Sequence, residues 1–418
     1  MPRWALSPFL TLCGVGLFAI FSSTMSKNPA LPLFAKNLGA TEADIGFIAA
    51  ASTVVGVITS LPAGALSDLY GRRRVILAAT FVFASAPFLY LLVDTPGQLA
   101  AVRVYHGFAT AIFGPVALAL VADLFKTGRG EQMGWYSSST LFGRAAAPFV
   151  GGTILAVAAM LGMGFGGFRV VYIVCGVAGL VALYGAWRLP IDNRTRGGAT
   201  FGESWVKLRA GLRDVVRSRP ILVTSASEAL QYFSYGALET FLPLFAVYTL
   251  GLSAVEVGTV FLIQVLTTAL SKPLLGRTSD RVGRRPMIAL GLIVSAVALG
   301  IVALTGALGL ASDSQVAVFG LLLVAGAIYG LGLSVVTSST SAYVSELAKA
   351  GSYGSAMGVL STIMDVGHST GPIVMGLLVV SLGYSTSFAI VAALLVAGTL
   401  AFLALAPSQA PILPEGGH

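Results

Sequence analysis

Residues 64–76 read GALSDLYGRRRVI, and residues 276–288 read GRTSDRVGRRPMI, 212 positions later. Both copies hold the same five residues in the same register. Gly64, Asp68, Gly71, Arg72 and Arg73 answer to Gly276, Asp280, Gly283, Arg284 and Arg285. Working outward, LPLFAKNLGATEADIG from Leu31 returns as LPLFAVYTLGLSAVEVG from Leu242. A third pair sets Gly134, Gly143, Pro148 and Gly152 against Gly358, Gly367, Pro372 and Gly376. Three duplicated patterns at offsets of 211 to 224 residues mean that the chain is two halves of like design.

The composition says what those halves are made of. Of 418 residues, 56% are hydrophobic and 10% are charged. A soluble domain carries about 25% charged residues to keep its surface wet. This excludes a soluble enzyme, a disordered chain and a disulfide scaffold, and leaves an integral membrane protein. The 50 glycines agree, because small residues let helices approach closely in lipid. Cys13 and Cys175 both lie in apolar runs and receive no role. Neither zinc-ligand spacing of Cys and His nor a GxxxxGK[ST] nucleotide loop occurs, so no cofactor is expected.

Stretches of about 20 apolar residues span a bilayer as helices. Twelve are predicted, over 8–36, 43–68, 75–93, 98–122, 131–161, 168–188, 219–248, 255–279, 287–308, 315–341, 353–382 and 385–406. They are too long and too evenly apolar for barrel strands. The N-terminus has one Arg and no small-residue cleavage site, and reads as the first span. Arg3, Arg72–Arg74, Arg188, Arg277, Arg281, Arg284, Arg285 and the bases of 189–218 fall on one side, against Lys36 and Arg169 on the other. By the positive-inside rule both termini are cytoplasmic; the net charge of +8 needs no nucleic acid to explain it.

The organisation expected is therefore an N-terminal six-helix bundle (1–188), a cytoplasmic linker (189–218), a C-terminal six-helix bundle (219–406) and a short tail (407–418). Within the linker, Trp205, Leu208, Leu212 and Val215 recur at helical spacing with Lys207, Arg209 and Arg213 between them. That suits an amphipathic helix lying on the membrane face and tying the halves together. Two halves of this kind rocking about a site near the midplane is a transporter architecture.

With these residues in place, the sequence resembles the major facilitator superfamily over essentially its whole length. The resemblance implies an all-α fold of twelve transmembrane helices in two pseudo-symmetric bundles, acting as a monomer by alternating access. It makes the duplicated Gly/Asp/Arg loops the latches that hold the cytoplasmic side closed, with Asp123 as the partner of Arg73. Arg103, followed by Gly107, is similar to an intramembrane Arg tied to proton transfer in proton-driven members. Gly134, Gly143, Ala147, Pro148, Gly151 and Gly152 resemble the fifth-helix motif of drug/proton antiporters, with Ala147 where that motif has Gly. Physically, such a Gly/Pro-weakened helix bends and packs tightly. Helices 1, 4, 7 and 10 are implied to line the central cavity.

Ionisable groups inside the membrane are costly, about 2.5–3.5 kcal/mol each at the centre of a span, and tend to face a cavity or a partner. Here they are Lys27, Arg103, His106, Arg144, Glu228, Glu239, Lys272, Asp365 and His368. Lys272 and His368 apart, the bases lie in the first half, and the acids all lie in the second. Glu228, Tyr232, Tyr235 and Glu239 stand at i, i+4, i+7 and i+11, one helical face, with Gln231 beside it. Loss of water favours the protonated form of a carboxyl, which suits Glu239 or Glu228 to proton exchange; the bland reading is an acid locked to Lys27, Arg103 or Arg144. The repeat sets Asn28 opposite Glu239, and Arg144 opposite His368. Lys27 either holds an anionic group of the solute or snorkels outward. Asp365 and His368, three residues apart, either relay a proton or neutralise each other.

The reading is a secondary transporter of the plasma membrane, such as a bacterial inner membrane, exporting a small, lipophilic solute in exchange for protons. Protons load on Glu239, Glu228 or Asp365, with His368 and Arg103 assisting. Lys27, Asn28, Arg103, His106, Arg144, Gln231, Tyr232, Tyr235 and Glu239 are the candidate solute contacts. The proton gradient is the driving force. The second reading is a proton-linked carrier of an anionic or zwitterionic metabolite. A third, a membrane sensor on the same fold, is disfavoured by two intact latches and a short tail.

Overall fold

The computed structural model describes residues 7–125, 129–189, 217–307, 315–348 and 353–406. Among them the chain is helical throughout. The helices are α1 (Pro8–Lys27), α2 (Ala30–Asn37), α3 (Glu42–Tyr70), α4 (Arg72–Tyr90), α5 (Pro96–Leu124), α6 (Arg129–Met160) and α7 (Gly166–Arg188). The second half holds α8 (Arg219–Leu244), α9 (Ala254–Val282), α10 (Arg284–Ala307), α11 (Gln315–Leu347) and α12 (Tyr353–Leu405). The linker helix expected around Trp205–Val215, and the tail, lie outside the described residues.

Two helices depart from the predicted spans. The first is broken: α1 ends at Lys27, Asn28 is extended (φ −126°, ψ 125°), and α2 begins beyond Pro29. Proline removes an N–H from the helix ladder and drives the residue before it out of the helical region. Conversely, α12 is 53 residues long, about 80 Å of helix against a hydrocarbon core of about 30 Å. It is two spans folded at Gly383, whose φ of +75° no helix can carry.

Among the described residues ten stretches are long and apolar enough to cross a membrane, the two arms of α12 counting as one. Missing from these is α8, the helix that carries Glu228, Gln231 and Glu239. Capping boxes start α3 (Thr41 with Asp44), α5 (Thr95 with Gln98) and α9 (Ser253 with Glu256), each satisfying two orphan N–H groups. Phe142, Leu92 and Leu270 face outward, while Arg103, Glu228 and Glu239 are inside. This inverts a soluble protein and fits lipid as the solvent.

In the first half α1 packs on α6 and α7, and α5 on α3 and α4; in the second α8 packs on α12, and α11 on α9 and α10. The halves meet through α3 against α12 and α6 against α9. At these two seams the duplicated residues touch one another. A Cβ on Gly258 would lie 2.3 Å from the Pro148 carbonyl oxygen, and one on Gly46 would lie 2.3 Å from that of Pro372. Gly152 sits equally close to the Ala254 carbonyl, and Gly376 lies 2.6 Å from that of Glu42 by the same measure. All four contacts lie toward the end of the bundle away from the arginine loops. At that end the halves are shut by backbone on backbone, which only glycine permits.

Candidate functional site

The break between α1 and α2 positions the site. It leaves Lys27 in the last turn of α1, where a cation suits the helix dipole, and makes Asn28 the cap, its N–H still bonded to the Thr24 carbonyl. Both reach across to α8. Lys27 Nζ lies 2.5 Å from Glu239 Oε2, and Asn28 Nδ2 donates to Glu239 Oε1 at 3.2 Å. From α12, His368 Nε2 is 3.2 Å from Glu239 Oε2. Three groups on two elements thus converge on one carboxylate that is 6% exposed. Asn28 and Glu239 are counterparts 211 residues apart, as are Asn37 and Tyr248, which meet at 3.4 Å. Residues that touch their own repeat partner lie on the pseudo-two-fold axis.

This junction forms one wall of a cavity of ≈ 380 Å³ between the halves. Arg103 and His106 of α5, Arg144 of α6, Tyr235 of α8, and Asp365 and His368 of α12 also line it. Arg103 is 3% exposed; its guanidinium meets the hydroxyls of Ser52 and Tyr90, and its Nε has no partner. Arg144 opens to the cavity, and Asp365 faces Gly56 of α3. Among the described residues neither of them makes an ion pair.

Several expectations need correcting. The face of α8 is not one surface for the solute, because its neighbours change along its length. Tyr235 and Glu239 reach the cavity, whereas Glu228 is buried against α11 and hydrogen-bonded by Thr340. Gln231 is wholly buried with both amide atoms unpartnered, and Tyr232 packs edge-on against His368 and Tyr235. Asp365 and His368 do not pair; a turn of about 300° between them sends the imidazole to Glu239 instead. His106 touches the cavity wall but is 1% exposed, edge-on to Phe83 and 3.3 Å from the Tyr90 hydroxyl. In the fifth-helix motif, Gly143 packs on α1 at Leu17 and Gly152 on α9, while Gly134 has open space beside it.

The two arginine loops are built alike. Gly71 and Gly283 have φ of +89° and +107°, and the helix after each begins with arginines, Arg72–Arg74 and Arg284–Arg285. Arg72 bonds Asp123 at 3.2 Å, and Arg284 bonds Glu346 at 2.9 Å and Asp280 at 2.5 Å. The next arginine points elsewhere: Arg73 donates to the Trp187 carbonyl at 2.7 Å, and Arg285 to that of Leu403. The expected Arg73–Asp123 pair is therefore an Arg72–Asp123 pair. One residue turns the side chain by about 100°, toward the last turn of α7, where helix carbonyls lack partners. The side chain of Asp68 lies outside the described residues.

The sequence pattern of the Major Facilitator Superfamily matches residues 12–263 and 224–417, which is nearly the whole chain. The chain belongs to the major facilitator superfamily. It is 25% identical over 391 residues to an uncharacterised MFS-type transporter of Methanocaldococcus jannaschii, covering 92% of each chain. To Multidrug resistance protein 2 of Bacillus subtilis it is 24% identical over 378 residues, 88% of this chain and 86% of that one. A solved bacterial homologue of the human lysosomal transporter Spinster, inward-facing and occupied, superposes with a TM-score of 0.76 at 15% identity, covering 95% and 96%. This is a multi-pass transporter of the facilitator fold, not an enzyme.

At the second arginine loop stands a residue outside the sequence candidates. Glu346 stands to Arg284 as Asp123 stands to Arg72, and the signal was there: VADLFK at 121–126 returns as VSELAK at 344–349. Asp123→Asn and Glu346→Gln are each expected to change transport rate severalfold. Their effect on stability should stay within about 1 kcal/mol, because the pairs are partly exposed. Flux and thermal unfolding on the same preparations check this; unaltered flux in both variants removes the latch.

Proposed function

We propose that this transporter is proton-coupled and works by alternating access through the central cavity, with Glu239 taking up the proton. The observation that carries the reading is the junction of Lys27, Asn28 and His368 on one buried carboxylate. It joins the two halves at the very place where they are shut. A proton on Glu239 cancels its charge, releases Lys27 and loosens that tie, so protonation state and conformation are linked. With the arginine loops on the cytoplasmic side, the cavity is closed to the outside in this state. The change from inward- to outward-facing would then require the seams of α3 with α12 and α6 with α9 to part.

Two senses of coupling fit this core. Exchange of solute for protons, hence efflux, is supported by the fifth-helix motif and by the multidrug resistance relative. Proton-linked carriage of an anionic solute is favoured by the cavity, where Arg103 and Arg144 have no carboxylate partner. Proteoliposomes under an imposed pH gradient test both. With an acidic lumen, exchange loads solute into the vesicles and co-transport drives it out, and reversing the gradient reverses the flux. Net flux that ignores the gradient sinks the proposal.

A further inference from the structure

We propose that the solute is an organic anion of net charge −1 with an apolar body, its acidic group anchored by Arg103 together with Arg144. The inference rests on the cavity being the solute site of a proton-coupled transporter, and it adds the solute's charge and polarity. The charges lining the cavity are Lys27, Arg103 and Arg144 against Glu239 and Asp365. Lys27 and Glu239 satisfy each other at 2.5 Å. What remains is two guanidinium groups and one carboxylate, an excess of one positive charge near the middle of the membrane.

Such an excess draws in an anion, because water in a cavity within the membrane compensates a charge less well than opposite charge with full hydrogen bonding. Arg103 is the clearest case. It is 3% exposed, its contacts are the neutral hydroxyls of Ser52 and Tyr90, and its Nε proton is aimed at no acceptor. A planar guanidinium with spare donors matches a carboxylate or phosphate, which accepts two parallel hydrogen bonds. Arg144 enters the same cavity from α6 with no ion pair of its own. One monoanion brings the balance of the cavity to zero. The rest of the wall mixes Ser and Thr hydroxyls with apolar and aromatic side chains, and Ile20, Tyr235, Phe261, Val265 and Met364 among the latter suit a hydrocarbon or ring. A cationic solute would meet the excess positive charge and be repelled.

Matched probes on purified protein test this: 3-phenylpropionate, 3-phenylpropanamide and 3-phenylpropylamine, and indole-3-acetate, indole-3-acetamide and tryptamine. Affinity is read from thermal stabilisation against concentration at fixed pH. The acid of at least one set is expected to bind about tenfold or more tighter than its amide and amine, the worth of one charge-assisted hydrogen bond. Arg103→Gln should erase that preference. Arg144→Gln, at a position exposed to the cavity, should reduce it and serves if the first variant does not fold. An amide or amine binding as tightly as its acid, no acid binding at all, or an acid preference intact in both variants overturns the inference. An acid preference in a protein whose flux ignores the pH gradient would instead overturn the coupling and leave the anion site standing.

Discussion

Glu239→Gln is expected to abolish gradient-driven transport while leaving solute-for-solute exchange. Glutamine keeps the shape and can still accept from Asn28, but it carries no titratable proton. One coupled proton gives at most about tenfold accumulation per pH unit, since a pH unit is worth about 1.4 kcal/mol. The variant should therefore fall from that ceiling to no accumulation. Counterflow in vesicles reports whether the carrier still moves. Accumulation retained in the variant would show that the proton rides elsewhere, with Glu228 and Asp365 the remaining acids.

The same junction has a signature in stability. Lys27→Ala alone leaves the Glu239 carboxylate buried with only Asn28 and His368. Removing one member of a buried pair costs about 3–5 kcal/mol, an upper bound here because the Lys27 side chain is 22% exposed. The double variant Lys27→Ala with Glu239→Gln should recover most of the loss, since no uncompensated charge remains. A double variant no more stable than the worse single one would mean that the pair contributes by packing alone.

Gly258→Ala is the second large effect, and it should act on conformation, not on folding. The added methyl would lie 2.3 Å from the Pro148 carbonyl oxygen, across the seam of α6 and α9. That clash is relieved by the two halves moving apart at the end away from the arginine loops. Overpacking costs about 1–3 kcal/mol. As a bias between two states, that is about 5- to 150-fold toward the form open at that end. Labelling of a cysteine placed at Thr240, 4% exposed and enclosed with Lys27 and Ile45 where the halves meet, should rise accordingly. Gly371→Ala is the contrast: its methyl would lie 2.1 Å from the Phe233 carbonyl, within one half, where no rocking motion relieves it. Loss of folded protein is expected there. Equal labelling in Gly258→Ala and the parent protein would refute the seam as the moving contact.

Most of this fold was legible along the chain. Hydropathy marks the spans, because a helix in lipid must be apolar over a fixed length. Duplication marks the halves, and the polar run of α8 marks the helix that faces the interior. The repeat even pairs Asn28 with Glu239 before any contact is known. The misreadings share one cause. Arg72 or Arg73 is a choice between side chains about 100° apart on one helix, and Asp365 or Glu239 as the neighbour of His368 is a choice between its own helix and the one opposite. Sequence spacing gives that angle along one helix, but not which helix stands opposite at that depth.

By itself, then, the sequence determined an all-α membrane protein of two like halves, with its arginine loops on one side and its charges confined to a few helices. Those are consequences of the solvent and of local periodicity. Only the tertiary structure decided that Lys27 and His368 share Glu239, that Glu228 turns away to Thr340, and that Arg103 and Arg144 are left without a carboxylate. Each of these joins elements distant along the chain, or leaves them unjoined. A balance of buried charge can be drawn only once the helices stand side by side.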